Sequence, residues 1–140
     1  LTSSDGLHWV ASAHTLKLSS VMETLPFGGG LVVTHDDSGG DVTAFDTGFS
    51  TDFATGWRQG PELFSTGFTP FFGAVYASQS DLDGNGHVAV TTDGATWRDV
   101  ADTHDFSTAL AASETTLVAA TSCDILTTKD GTTWAHRDAP

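Results

Sequence analysis

The sequence predicts an all-β protein built from repeated four-stranded antiparallel sheets. The main observation is a motif in which Asp-Gly is followed by two variable residues and Trp, with serine or threonine just upstream; we refer to it as the Asp-Gly motif. It occurs at residues 4–9, 92–97 and 129–134. Three of the four tryptophans share this register, which indicates an internal repeat. Short runs rich in Val, Thr and Leu, bounded by turn residues, are typical of strands.

The spacing of the tryptophans predicts the architecture. They stand at positions 9, 57, 97 and 134. Repeats of about 40–50 residues are typical of β-propeller blades, each of which is a four-stranded antiparallel sheet. We therefore interpret 1–140 as one partial propeller of about three and a half blades, part of a larger ring, since a ring needs at least four. The predicted units are the last hairpin of a blade at 1–12 and blades at 13–60, 61–101 and 102–140.

Individual strands are predicted from the same pattern. Residues 15–25 have helical length, but Lys17, Ser20 and Glu23 interrupt the apolar stripe, which favours a strand or loop. The second strand of the unit at 61–101 is not placed. The predicted strands are Leu31–Thr34, Asp41–Phe45, Phe72–Ala77, His87–Thr92, Thr96–Val100, Ala109–Ser113, Thr116–Thr121, Asp124–Thr128 and Thr133–Asp138.

The residue types of the Asp-Gly motif suit a turn between a third and a fourth strand. Asp accepts backbone N–H bonds across the turn, and an upstream hydroxyl can join that network. Gly supplies positive φ, and the Trp ring covers the sheet while its indole N–H needs an acceptor. We therefore assign a structural role to the motif residues, namely Ser4, Asp5, Gly6, Trp9, Thr92, Asp93, Gly94, Trp97, Thr128, Asp130, Gly131 and Trp134, and to Ser50, Asp52 and Trp57 of a fourth, degenerate copy.

These segments resemble the Asp-box, or bacterial neuraminidase repeat, whose usual form is Ser/Thr-x-Asp-x-Gly-x-Thr-Trp. The three clear copies are one residue shorter, and the degenerate copy Ser50–Trp57 has Ala54 in place of Gly. Proteins with this repeat form sialidase-like β-propellers, among them sialidases, other glycosidases, sorting receptors and many surface proteins. The resemblance implies this fold, with the box at the blade periphery and away from the central ligand face. It does not imply a catalytic site.

Charge excludes some classes of partner. The chain has 18 acidic and five basic residues, for a net charge of −13. Nucleic acids and anionic membrane surfaces both require basic side chains, so neither is an expected partner. There is no apolar run of about 20 residues, so we expect no membrane insertion. A lone cysteine, Cys123, cannot form an internal disulfide and is interpreted as a small core residue. We expect an extracellular or cell-surface protein, as the resemblance implies.

The sequence favours a non-catalytic function. The sialidase site, as the resemblance implies it, uses an arginine triad, a Tyr–Glu pair and an acid Asp. Strand alternation predicts that Arg98 and Arg137 face solvent, and Tyr76 is the only tyrosine. We expect a module for glycan or protein recognition or scaffolding, whose partners could include further blades or other copies of the chain. The alternatives are a fragment of a sialidase-like glycoside hydrolase and a structural assembly subunit.

Two segments could bind ligands. Residues 45–72 contain seven phenylalanines, which either fill the core or stack on sugars or a partner; the candidates for stacking are Phe49, Phe53 and Phe68. Residues 81–88 begin like a calcium loop, with Asp81, Asp83 and Asn85 as candidate ligands. The Glu that should close such a loop is replaced by Thr92, so a solvated turn is the alternative. Calcium is the only cofactor that the sequence suggests.

Overall fold

The computed structural model describes residues 5–8, 20–36, 45–50, 58–63, 67–80, 85–103, 109–122 and 124–138. These residues form twelve strands and no helix, so the prediction of an all-β protein is confirmed. The described residues accordingly contain no helix that could cross a membrane. The strands make three four-stranded antiparallel sheets, and within each sheet every strand pairs with the next one along the chain.

The three sheets follow one another in sequence. The first contains β1 (Ser20–Phe27), β2 (Gly30–Asp36), β3 (Phe45–Ser50) and β4 (Arg58–Leu63). The second contains β5 (Phe68–Phe71), β6 (Ala74–Ser80), β7 (Gly86–Thr91) and β8 (Arg98–Asp102). The third contains β9 (Ala109–Ala112), β10 (Leu117–Ala120), β11 (Asp124–Thr128) and β12 (Ala135–Asp138).

The predicted strands agree best in the third sheet, where the Asp124–Thr128 prediction matches β11. The second sheet differs, because Phe72–Ala77 is not one strand. Phe72 and Gly73 form a two-residue turn that joins β5 to β6. Both turn residues have positive φ, 47° and 73°, as in the type I′ turns of tight hairpins. A bulky aromatic residue rarely adopts this conformation, so Phe72 does not indicate a turn when only the sequence is considered.

In the first sheet, the fourth strand begins after the predicted end of the unit near Trp57. β4 ends at Leu63, so the sheet extends past the predicted boundary at residue 60. Residues 20–25 of the ambiguous segment 15–25 belong to β1, and 15–19 lie outside the described residues. Of the predicted strand Asp41–Phe45 only Phe45 is described, as the first residue of β3. The hairpin predicted at 1–12 is described only at residues 5–8.

The second sheet packs between the other two. In β6, Val75 and Ala77 share a cluster with Val32 of the first sheet. The side chain between them, Tyr76, belongs to a second cluster with Leu117 and others of the third sheet. Because side chains alternate along a strand, these are opposite faces of one sheet. Apolar packing on both faces explains why residues 74–78 are all buried.

The three sheets also share a register. Leu31 pairs with Ser50, Val75 with Thr91, and Leu117 with Thr128, in each case between the second and third strands of a sheet. Each third strand therefore ends at the residue two positions before an Asp of the motif. We refer to this edge of each sheet, where the third strand turns into the fourth, as the motif edge. Ser50 of the degenerate copy occupies the same register position as Thr91 and Thr128.

Candidate functional site

The motif turn that follows β7 is closed by the Asp93 carboxylate. Its Oδ1 accepts hydrogen bonds from the backbone N–H groups of Ala95 at 2.9 Å and Thr96 at 2.7 Å. Thr91 Oγ1 donates to the same oxygen at 3.1 Å and accepts from Gly94 N–H at 2.9 Å. One carboxylate and one hydroxyl thus satisfy the backbone donors that a tight turn would otherwise leave unpaired.

The turn that follows β11 repeats this arrangement. Asp130 Oδ1 accepts from Thr132 N–H at 2.8 Å and Thr133 N–H at 2.7 Å. Thr128 Oγ1 donates to Asp130 at 3.0 Å and accepts from Gly131 N–H at 2.9 Å. Equal roles at equal spacing indicate that the repeated residues build the turn.

The copy at the start of the chain shows the same carboxylate geometry. Asp5 Oδ1 accepts from Leu7 N–H at 2.9 Å and His8 N–H at 2.8 Å, and Asp5 Oδ2 lies 2.7 Å from His8 Nδ1. Ser4 and Trp9 of this copy lie outside the described residues, as do Asp52 and Trp57 of the degenerate copy, and Ser50 is described only in its backbone.

Two features characterise these turns, namely a glycine in the left-handed conformation and a threonine hydroxyl that accepts its N–H. The glycine after each Asp is in the left-handed region, with φ of 78° at Gly94 and 75° at Gly131, which other residues adopt only at a cost. In the turn after β7, the hydroxyl that accepts the N–H of Gly94 belongs to Thr91, which is buried. Thr92, the upstream residue named from the sequence, is exposed. Both threonines stood upstream in the sequence, and the strand register selects Thr91.

The turn hydrogen bonds fix the charge of the motif carboxylates. Backbone N–H groups of Thr96 and Ala95 hold the pKa of Asp93 far below its ordinary value. Those of Thr133 and Thr132 do the same to the pKa of Asp130. Each donated hydrogen bond stabilises the anion. These two carboxylates are therefore fixed acceptors and are unsuited to donate a proton near neutral pH.

The motif tryptophans pack between sheets. The Trp97 ring stacks on Phe68, with centroids 5.7 Å apart, in the cluster shared by the first and second sheets. Trp134 packs against the cluster shared by the second and third. The Nε1 atoms of both rings are buried and have no hydrogen-bond acceptor among the described residues. The acceptor expected from the sequence is thus not found, and these rings contribute apolar surface.

Each of these two turns also contacts the preceding sheet. Arg58, which begins β4, donates from Nη2 to the backbone carbonyl of Asp93 at 2.9 Å. Tyr76 of β6 donates from its hydroxyl to the backbone carbonyl of Gly131 at 3.5 Å. Burial is the largest influence on Tyr76 and raises its pKa. The motif turns therefore join adjacent sheets as well as adjacent strands.

The structure corrects one of the aromatic candidates for ligand binding. Phe68 is only 8% exposed and stacks on Trp97, so its ring belongs to the core. Phe49 is described only in its backbone, and Phe53 lies outside the described residues. The described aromatic ring that does face solvent is Phe72, which is 67% exposed and was not selected from the sequence. Its positive φ is the feature that residue type alone does not reveal.

The candidate metal ligands are described only in part. Asp81 and Asp83 lie outside the described residues, and Asn85 is exposed. Across the described segments, no group of three or more His, Cys, Asp or Glu side chains is placed to hold a metal ion. Arg98 and Arg137 are exposed, as strand alternation predicted. His136 Nε2 lies 3.1 Å from Asp124 Oδ2. This contact joins β12 to β11.

A scan against protein-family models and a search of curated proteins both found no match to this chain.

Proposed function

We propose that this chain is a non-catalytic β-propeller module of the Asp-box type that recognises a glycan or protein partner, or serves as a scaffold, outside the cell or at its surface. The proposal takes the three sheets as successive blades. It is supported by their four-stranded meander topology, their shared register and the packing of the second sheet on both neighbours. Blades of a propeller stack face to face around an axis in this way.

The observation that carries a binding function is that the repeated motif residues bond the chain itself, whereas the variable residues beside them face solvent. The repeated residues are occupied by the chain itself, because Asp93 and Asp130 bond their own turns. The residues after each Asp-Gly are exposed or partly exposed and differ between copies, being Leu-His, Ala-Thr and Thr-Thr. Repeat scaffolds of this kind present varied exposed side chains on a constant frame, which suits recognition.

Phe72 is the residue we assign to partner contact. It is one of two large hydrophobic side chains exposed among the described residues, the other being Leu7. It also occupies a left-handed conformation that costs about 1 kcal/mol for a residue with a Cβ. Strain of this sort persists where other requirements outweigh it, and an exposed ring can stack on a sugar or pack on a protein.

The experiment applies the fluorescently labelled chain to an array of immobilised glycans and to a mixture of cell-surface proteins. We expect saturable binding that Phe72→Asn weakens at least about tenfold, equivalent to about 1.4 kcal/mol. Asn is favoured at the first position of a type I′ turn, so the hairpin is expected to survive. Thr115→Asn, in the exposed turn between β9 and β10, is the control and should bind like the parent chain. Turnover of a fluorogenic sialoside, or full binding by Phe72→Asn, would contradict the proposal.

A further inference from the structure

Each motif turn contains a chemically labile pair of residues. In an Asp-Gly sequence, the backbone nitrogen of the glycine can attack the carboxyl carbon of the aspartate side chain, because glycine has no Cβ to hinder the approach. A C–N bond forms and closes a succinimide ring, while the proton of the nitrogen and the hydroxyl of the neutral carboxyl group leave together as water. Water then opens the ring at either carbonyl carbon, which returns aspartate or yields isoaspartate with an additional methylene in the backbone.

Exposure to solvent does not protect these pairs. The Asp93 side chain is 44% exposed, and Asp130 is exposed as well. Water can therefore reach both carboxyl groups and would hydrolyse a succinimide at either position. The glycines that follow have positive φ, so a bulkier residue that would slow the attack is unfavourable there.

The attacking nitrogen is engaged in both turns. Gly94 N–H donates to Thr91 Oγ1 at 2.9 Å. Gly131 N–H donates to Thr128 Oγ1 at the same distance. The two glycines are buried and both threonines are at most 2% exposed, which keeps solvent bases away from these N–H groups. Because the nitrogen must lose its proton to form the new bond, this arrangement opposes ring closure.

The carboxyl group is also held in an unreactive form. Asp93 Oδ1 accepts from the N–H groups of Ala95 and Thr96, and Asp93 Oδ2 accepts from Thr96 Oγ1 at 3.0 Å. These bonds restrict rotation of the carboxylate toward the glycine nitrogen, and they lower the pKa of Asp93. An ionised carboxylate has no hydroxyl to lose, so it does not close the ring. Backbone N–H groups act on Asp130 in the same way.

We propose that Asp93 and Asp130 are sites of isoaspartate formation that the motif turn keeps unmodified, with the buried threonine hydroxyl engaging the glycine nitrogen that would attack. This protection is independent of partner recognition and gives the repeated residues a role beyond joining two strands. Isoaspartate would lengthen the backbone and displace the carboxylate from the N–H groups that it bonds. A modified turn would therefore lose the hydrogen bonds that close it.

The test follows isoaspartate at each site by peptide mapping, during incubation at mildly acidic pH and below the unfolding midpoint of every variant. Isoaspartyl peptides have unchanged mass and are identified by their separate elution and by the fragment ions that the additional methylene produces. In the folded parent chain we expect both sites to react at least about tenfold more slowly than in the urea-unfolded chain, because their neutral carboxyl fraction is smaller.

Two substitutions test the threonine hydroxyls separately. Thr91→Val removes the acceptor of one glycine N–H and leaves the turn at Asp130 intact. We expect isoaspartate at Asp93 to form at least about fivefold faster, with an unchanged rate at Asp130, since a buried donor without its acceptor favours opening of that turn. Thr128→Val should reverse this pattern. Each variant thus contains its own reference site.

The matched control is Thr92→Val at the exposed neighbouring position, which should change neither rate. Equal folded and unfolded rates in the parent chain, or no acceleration at Asp93 in Thr91→Val, would overturn the proposal. Equal acceleration at Asp93 and Asp130 in Thr91→Val would also overturn it, because unfolding of the whole chain would then be the cause.

Discussion

At the scale of single residues, the sequence predicted the types of residue that build each motif turn but not which hydroxyl completes it. Two threonines precede Asp93, and only Thr91 is turned inward, because β7 ends there with its side chain on the buried side. Thr91 Oγ1 then accepts the N–H of Gly94. Sequence order alone does not distinguish Thr91 from Thr92, because inward and outward positions alternate every residue along a strand.

This difference predicts unequal effects of two identical substitutions. Thr91→Val keeps the side-chain shape but leaves the buried N–H of Gly94 without its acceptor, so we expect it to lower the free energy of unfolding by about 1–3 kcal/mol. Thr92→Val changes an exposed side chain and should have an effect within about 0.5 kcal/mol. Urea unfolding of the two variants measures both values, and equal losses would mean that Thr91 does not close the turn.

The turn carboxylates predict how stability responds to acid. In the folded chain the pKa values of Asp93 and Asp130 lie below the ordinary Asp value of about 3.9 expected after unfolding. Their contribution is therefore complete above about pH 5 and is lost as the pH falls through 4 toward the folded pKa values. Urea unfolding between about pH 7 and 2 should show this loss. The double variant Asp93→Asn, Asp130→Asn should show a shallower loss, and an unchanged slope would contradict it.

At the scale of elements, prediction succeeded where a recognised turn bounds a strand and failed where the turn or the contact had no local signal. β11 was placed correctly because a short run of Ile, Leu and Thr is followed by an Asp-Gly turn. The β5–β6 hairpin was missed because Phe72 carries no turn signal. Phe68 was proposed as a ligand contact because it lies in the phenylalanine-rich segment 45–72. Its burial depends on Trp97, nearly thirty residues later in the chain, which the local pattern does not reveal.

The contact between the last motif turn and the second sheet predicts a glycine-specific effect. A Cβ on Gly131 would lie 1.8 Å from the Tyr76 hydroxyl oxygen, and the φ of 75° is itself unfavourable for alanine. Gly131→Ala should lower the free energy of unfolding by about 2–5 kcal/mol, from left-handed strain together with overpacking.

The matched control is Gly73→Ala, which has a φ of 73° but no atom within 4 Å of the added Cβ. It should cost only the backbone strain, about 1–2 kcal/mol. Adding Tyr76→Phe to Gly131→Ala removes the closest atom and should recover part of the loss. Equal losses for the two glycine variants would show that Tyr76 does not pack on this turn.

At the scale of the whole molecule, the account depends on one relation: each sheet packs on the next, with the motif turns at one edge. The sequence predicted repeated sheets from the spacing of its tryptophans, since that spacing reflects the length of one unit. It could not predict which faces meet, because those contacts join residues such as Tyr76 and Gly131 that lie far apart in the chain.

The most direct test is a nuclear Overhauser spectrum of the isotopically labelled chain. The account predicts cross-peaks between the Tyr76 ring protons and the α protons of Gly131, which join the second and third sheets. It also predicts cross-peaks between the Val32 methyls and at least one of Phe68, Val75 and Ala77, which join the first and second. Absence of both sets, in a spectrum that shows the pairings within each sheet, would contradict the stacking of the sheets.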